Sequence, residues 1–269
     1  MQLVHAANTH VGMIRAGNED SFHADATPHR GLFIVADGMG GHAAGEVASE
    51  MAVQIVSREL AAVRDLTDPG VIPRVASALK NANQAIFRRT LSEVDKQGMG
   101  TTASVLLLAG TRYLIGQVGD SRVYLLRDGT LRQLTKDHSY VQEQVDAGYL
   151  TPEQARYHPY SNVITRCVGA SDSVEPDVYV GEVKVGDVFL VASDGLTGMV
   201  DDRRLQQILL SRAAPGRIVD ALISEANGRG GLDNITAIVV QVTGLDDNGG
   251  RPDGPTLELP PFDPTGNDR

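Results

Sequence analysis

The sequence predicts an α+β fold in which antiparallel sheets pack together and helices lie outside them. Three observations lead there. Seven short runs rich in Val, Ile and Leu read as strands. Several are joined by turns too short for a crossover, which makes them antiparallel neighbours. The helical patterns come in blocks rather than one after each strand.

The elements follow in order. Strands are expected over 31–36, 102–109, 113–118, 123–127, 130–134, 188–192 and 236–242. Asp128-Gly129 lies between two of them and predicts a tight hairpin, and Ala109-Gly110-Thr111 links another pair. A helix over 46–64 places Val47, Met51, Ile55 and Ala62 near one face. A second, over 72–91, has Pro73 near its start and Val75, Leu79, Ala82 and Ile86 at helical spacing. Two more are expected over 201–212 and 215–227, the latter stopped by Gly228. One local echo stands out: Gly31-Leu-Phe-Ile-Val-Ala-Asp37-Gly38 against Asp187-Val-Phe-Leu-Val-Ala-Ser-Asp194-Gly195, two apolar strands that each end in Asp-Gly.

The 269 residues suffice for a sizeable core. At 42% hydrophobic and 22% charged the chain is an ordinary globular one. The formal charge of −10 excludes nucleic acid and anionic membrane as partners. A single cysteine, Cys167, rules out a disulfide scaffold. With no apolar span and no signal-peptide pattern, a cytoplasmic location is expected. The chain divides into a body, 1–244, and a segment, 245–269, that holds five of the twelve prolines together with many Asp and Gly residues. That segment is expected to be a flexible acidic tail.

Four strand ends carry an aspartate: Asp37, Asp120, Asp194 and Asp233. Any single Asp-Gly is more often a turn than a ligand, and Asp128-Gly129 is such a turn. The loop Asp37-Gly38-Met39-Gly40-Gly41-His42 is harder to dismiss, because glycines let backbone carbonyls approach a ligand closely. If the four ends meet, their carboxylates repel one another unless hard cations such as Mg²⁺ or Mn²⁺ lie among them. The stretch from Gly12 to Ser21 sets Arg15 near Glu19 and Asp20, which alone reads as a solvated turn with a local ion pair.

Taken in order, these segments resemble the metal-dependent serine/threonine protein phosphatases of the protein phosphatase 2C-like (PPM) family, in its bacterial form. The resemblance is carried by Arg15 with Asn18-Glu19-Asp20, Ala36-Asp37-Gly38-Met39-Gly40-Gly41-His42, Gly98-Met99-Gly100-Thr101-Thr102, Val118-Gly119-Asp120-Ser121-Arg122, Ser193-Asp194-Gly195 and Asp233-Asn234-Ile235-Thr236. It spans roughly residues 5–243. It implies a central sandwich of two antiparallel β-sheets flanked by pairs of helices (αββα), with a flap at about 136–166 beside the active site.

The resemblance also implies roles. Asp37 is similar to the ligand that bridges two core metals, Mn²⁺ or Mg²⁺. The Gly38 carbonyl completes one site, and Asp194 with Asp233 the other. Glu19 and Asp20 hold metal-bound waters. Asp120 resembles the ligand of a third, weaker ion. Arg15 binds the substrate phosphate. A hydroxide bridging the two ions attacks phosphorus in line, opposite the seryl or threonyl oxygen. His42 is the candidate general acid, with a metal-bound water as the alternative. Tyr157, His158 and Tyr160 of the flap are expected either to meet a peptide or to pack the flap down.

Other phosphatase chemistries fail on the residues. Cys167 lacks the Arg six positions later, where Ser173 stands. Neither Asp37 nor Asp194 opens an Asp-x-Asp, and Gly119-Asp120-Ser121-Arg122 lacks the histidine of calcineurin-like enzymes. The alternatives kept are a regulatory pseudophosphatase and a phosphatase of small phosphometabolites. The family resemblance implies phosphorylated proteins as partners, among them a serine/threonine kinase and its targets, and a monomeric enzyme.

Overall fold

Two antiparallel sheets stacked face to face form the centre of the computed structural model, which describes residues 1–40, 44–211 and 213–245. The strands are β1 (Gln2–His10), β2 (Asp20–Thr27), β3 (Arg30–Met39), β4 (Gly100–Thr101), β5 (Ala103–Ala109), β6 (Arg112–Val118), β7 (Arg122–Arg127), β8 (Thr130–Gln133), β9 (Asp177–Glu182), β10 (Val188–Ala192) and β11 (Ile235–Gly244). The helices are α1 (Ala44–Leu60), α2 (Val71–Ser92), α3 (Tyr140–Asp146), α4 (Pro152–Arg156), α5 (Asp194–Thr197), α6 (Asp202–Leu209) and α7 (Pro215–Gly228). One sheet runs β1-β11-β10-β7-β8, and the other β2-β3-β5-β6-β9 with β4 paired to β3.

Period-two alternation explains the layering. In β3, Phe33 and Val35 face the opposite sheet, while Leu32, Ile34 and Ala36 face α1 and α2. In β10 and β11, Phe189, Val191, Ile238 and Val240 face the other sheet, while Leu190, Ala192, Ala237 and Val239 face α5, α6 and α7. Both faces of these central strands are therefore buried, and their sequences read as unbroken apolar runs. Each fully buried Leu, Ile or Phe contributes about 1.5–3 kcal/mol.

All seven expected strands are present, with the Asp128-Gly129 hairpin at φ of 51° and 79° between β7 and β8. Three further strands complete the sheets: β1, β2 and β9, each at a sheet edge and only partly buried. The face expected of α1 is displaced. Ala44, Ala48, Ala52, Val56 and Leu60 are buried, whereas Val47, Met51 and Ile55 are partly buried and Ala62 lies beyond the helix. Small side chains take the inner face because α1 lies close against β3, where Gly38 meets Gly45. On α2 the expected face, Val75, Leu79, Ala82 and Ile86, is the buried one. The flap holds two short helices, α3 and α4, capped by Ser139 and Thr151. Of the expected tail, all but Leu245 lies outside the described residues.

Candidate active site

Strand ends from both sheets meet at one end of the sandwich. Asp37 stands near the end of β3 and pairs in register with Asp20 at the start of β2. Asp194 follows β10 and Asp233 precedes β11, while Asp120 follows β6. A cavity of about 320 Å3 is lined by Arg15, Glu19, Asp37, Gly38, Asp194 and Asp233, with Asn162 and Ile164 of the flap along its edge. A larger one of about 590 Å3, between the flap and α5, is lined by Asp120, Asp194, Asp233, Arg156 and Tyr157 among others.

Local hydrogen bonds hold each group in place. The Asp37 N–H donates to Thr102 Oγ1 at 2.9 Å, and its carbonyl accepts from Thr101 Oγ1 and from the Thr102 N–H, both at 2.9 Å. The Gly-Thr-Thr segment is thus a backbone clamp on Asp37. The Gly38 N–H donates to the Glu19 carbonyl at 3.1 Å, and any Cβ on Gly38 would overlap the Gly45 and Glu19 carbonyls. Asp20 is buried, and its Oδ2 accepts from Ser193 Oγ at 2.8 Å and Thr236 Oγ1 at 2.6 Å. The Asn234 side chain accepts from the Glu19 N–H and donates to the Val11 and Gly17 carbonyls, so it fixes the loop that carries Arg15 and Glu19.

Arg15 is half-exposed, and its Nη2 lies 2.6 Å from Asp233 Oδ2. The ion pair expected within its own turn is instead a pair across 218 residues. Asp20 sits behind the cavity rather than in its lining. His42 lies outside the described residues.

Burial and mutual repulsion dominate the electrostatics. Burial holds the Asp37 carboxyl well above the usual range, and the charges of Asp20, Asp194 and Asp120 add to it. Asp37 and Asp194 face each other closely enough to interact, and burial raises the Asp194 carboxyl as well. Burial and the charges of Asp194 and Asp137 push Asp120 up against the pull of Arg122. Asp20 is pushed up to about 7, chiefly by burial, with the hydroxyls of Thr236 and Ser193 opposing. Glu19 rises for the same first reason, with Arg15 opposing. Such clustering costs stability unless positive charge is brought among the carboxylates.

The donor chemistry fits hard divalent cations. Asp20 Oδ1, Asp120 Oδ1 and Asp194 Oδ1 are buried oxygens with no hydrogen-bond partner. Among the described residues, no three or more such side chains close into a ready-made cage. Mg²⁺ and Mn²⁺ do not need one, since one or two carboxylates suffice and water fills the remaining positions.

Sequence reasoning assigned no role to Thr102, Ser193, Asn234 or Thr236, although each lies inside a quoted motif. Small polar residues beside a ligand-type aspartate are the signal that could have found them. In the flap, Tyr157 is 79% exposed, whereas the rings of Tyr140, His158 and Tyr160 cluster with centroids 5.6–6.1 Å apart. Cys167 is half-buried, and burial raises its thiol, which disfavours the thiolate.

Residues 14–219 match the family model described as Protein phosphatase 2C. The chain is 40% identical over 237 residues to the serine/threonine phosphatase stp of Listeria welshimeri, covering 87% of this chain and 93% of that protein. It is 40% identical over 247 residues to the serine/threonine protein phosphatase PstP of Mycobacterium tuberculosis, covering 91% of this chain and 46% of that protein. Its structure is similar to the crystal structure of the catalytic domain of PstP in complex with two manganese ions. There the TM-score is 0.81 and the identity 38%, over 90% of this chain and 100% of that one.

Proposed function

The chain belongs to the protein phosphatase 2C family, and from that premise we propose that it removes phosphate from phosphoserine and phosphothreonine in proteins, with Mn²⁺ or Mg²⁺ as cofactor. The observation that carries this reading is the cavity where Arg15, Glu19, Asp37, Gly38, Asp194 and Asp233 converge. Buried carboxylate oxygens beside it lack any partner.

In this reading Asp37, the Gly38 carbonyl, Asp194 and Asp233 hold two core ions, and Asp120 a third. Glu19 and Asp20 orient the waters around them. The ions, when bound, lower the pKa of water to supply the nucleophile and neutralise charge on the phosphate. The protein's own residues do the rest. Arg15 offers a planar fork suited to two phosphate oxygens, and exchanges Asp233 for them when substrate enters. Thr101 and Thr102 keep Asp37 from turning away, and Ser193 and Thr236 do the same for Asp20. Asn162 and Ile164 screen the cavity edge from water. His42 is the proposed general acid for the leaving alkoxide. The proposed substrates include a serine/threonine kinase and its targets, met in the cytoplasm by a monomeric enzyme.

The test is hydrolysis of a phosphothreonine peptide by wild type and Asp37→Asn, with MnCl2 or with EDTA. Turnover should require the metal and fall by at least about a thousandfold in the variant. Full activity in chelator refutes the metal mechanism. A preference for sugar phosphates over phosphopeptides would favour a small-metabolite enzyme.

A further inference from the structure

His138 opens the flap, and its residue type alone suggests no role there. The structure buries it against the turn that carries Asp120. Its Nδ1 accepts the Gly119 N–H at 3.1 Å, and the His138 backbone N–H donates to the Gly119 carbonyl at 2.9 Å. Gly119 has φ of 100° and sits against the side chain of Thr102, the residue that clamps Asp37. The His138 carbonyl accepts the Thr165 N–H at 2.9 Å, which ties in the far end of the flap.

These contacts determine the ring's proton. Because Nδ1 accepts, Nε2 carries the hydrogen, and Nε2 lies 3.2 Å from Asp177 Oδ2. Arg166 Nη1 also lies 3.2 Å from Nε2, but a ring that accepted at both nitrogens would be an anion. Asp177 therefore takes both donors, receiving Arg166 Nη1 at 2.9 Å as well.

We propose that His138 is a positioning residue: through Nδ1 it holds the turn at 119–120 so that Asp120 faces the cavity beside Asp194, and it joins that turn to both ends of the flap. Asp177 keeps the tautomer that makes this possible. The inference rests on the reading of Asp120 as a cation ligand.

Two conservative substitutions separate the ring's two functions. His138→Asn puts an amide oxygen where Nδ1 lies, and His138→Gln an amide nitrogen where Nε2 lies. The metal-free protein is titrated with MnCl2 by calorimetry. His138→Asn should match wild type within about threefold at every site, whereas His138→Gln should weaken the weakest site about tenfold and spare the others. Wild-type behaviour of His138→Gln, or equal weakening in both variants, overturns the proposal. If His138→Gln does not fold, Asp177→Leu should weaken the same site, and a wild-type titration there overturns the proposal equally. Asp120→Asn is the control. If it titrates as wild type, the reading of Asp120 fails and the proposal with it. If it loses a site that His138→Gln retains, the positioning role alone is refuted.

Discussion

Replacing Asn234 by alanine should release the loop that carries Arg15 and Glu19. The side chain is 6% exposed and makes three hydrogen bonds: from the Glu19 N–H at 2.8 Å, and to the Val11 and Gly17 carbonyls at 2.9 Å each. A net contribution of about 1 kcal/mol per bond sums to about 3 kcal/mol. Gly17 is exposed, so water can recover part of that loss, and about 2–3 kcal/mol is expected. The assay is urea unfolding of metal-free protein, read as a midpoint shift at constant slope. Catalysis should suffer separately, because Arg15 and Glu19 lose their anchor. A fall of about a hundredfold in kcat/KM on a phosphothreonine peptide is expected from misplacement by about an ångström. A stability change under about 0.5 kcal/mol, with kcat/KM near wild type, refutes the idea that Asn234 holds this loop.

Three other outcomes follow from the same geometry. Asp20 is raised from 3.8 to about 7, so below that range it is neutral in both the folded and unfolded chain, and above 3.8 the unfolded chain ionises first. Metal-free protein should therefore lose stability as pH rises through about 7, and MnCl2 or Asp20→Asn should flatten the slope; urea midpoints that rise with pH contradict this. Gly38→Ala has no room beside Gly45 and Glu19 and should lower stability by about 1–3 kcal/mol in thermal unfolding, an unchanged midpoint being the contrary result. Cys167→Ala should keep phosphatase activity within about twofold, since burial already disfavours the thiolate; an inactive variant would return the thiol to the mechanism.

The central strands were legible because burial on both faces leaves unbroken apolar runs, as in Phe33–Val35 and Phe189–Val191. The edge strands β1, β2 and β9 were not, because partial solvation mixes polar residues and glycine into them and leaves at most a short apolar stretch such as Val178–Val180. β8, also an edge, was legible only through the glycine of its hairpin. Among the candidate site residues, Asp37 and Asp194 could be found as an echo: each ends an apolar strand in Asp-Gly, one in each sheet. Their contact across the sandwich could not, since it depends on how the two sheets stack.

Residue type and order are enough to identify the phosphatase pattern, the acidic set and the glycines that permit close approach. A ligand-bearing strand end has to be an aspartate followed by small residues, and that constraint is written locally. Partner choice is not local. Arg15 has Glu19 and Asp20 as its sequence neighbours yet pairs with Asp233. The Asp37 backbone finds Thr102 across 65 residues, and His138 finds Gly119 across 19. Those pairings come from strand register and from the packing of one sheet on the other. A hydrogen bond needs its atoms within about 3 Å, and only the folded chain brings them there.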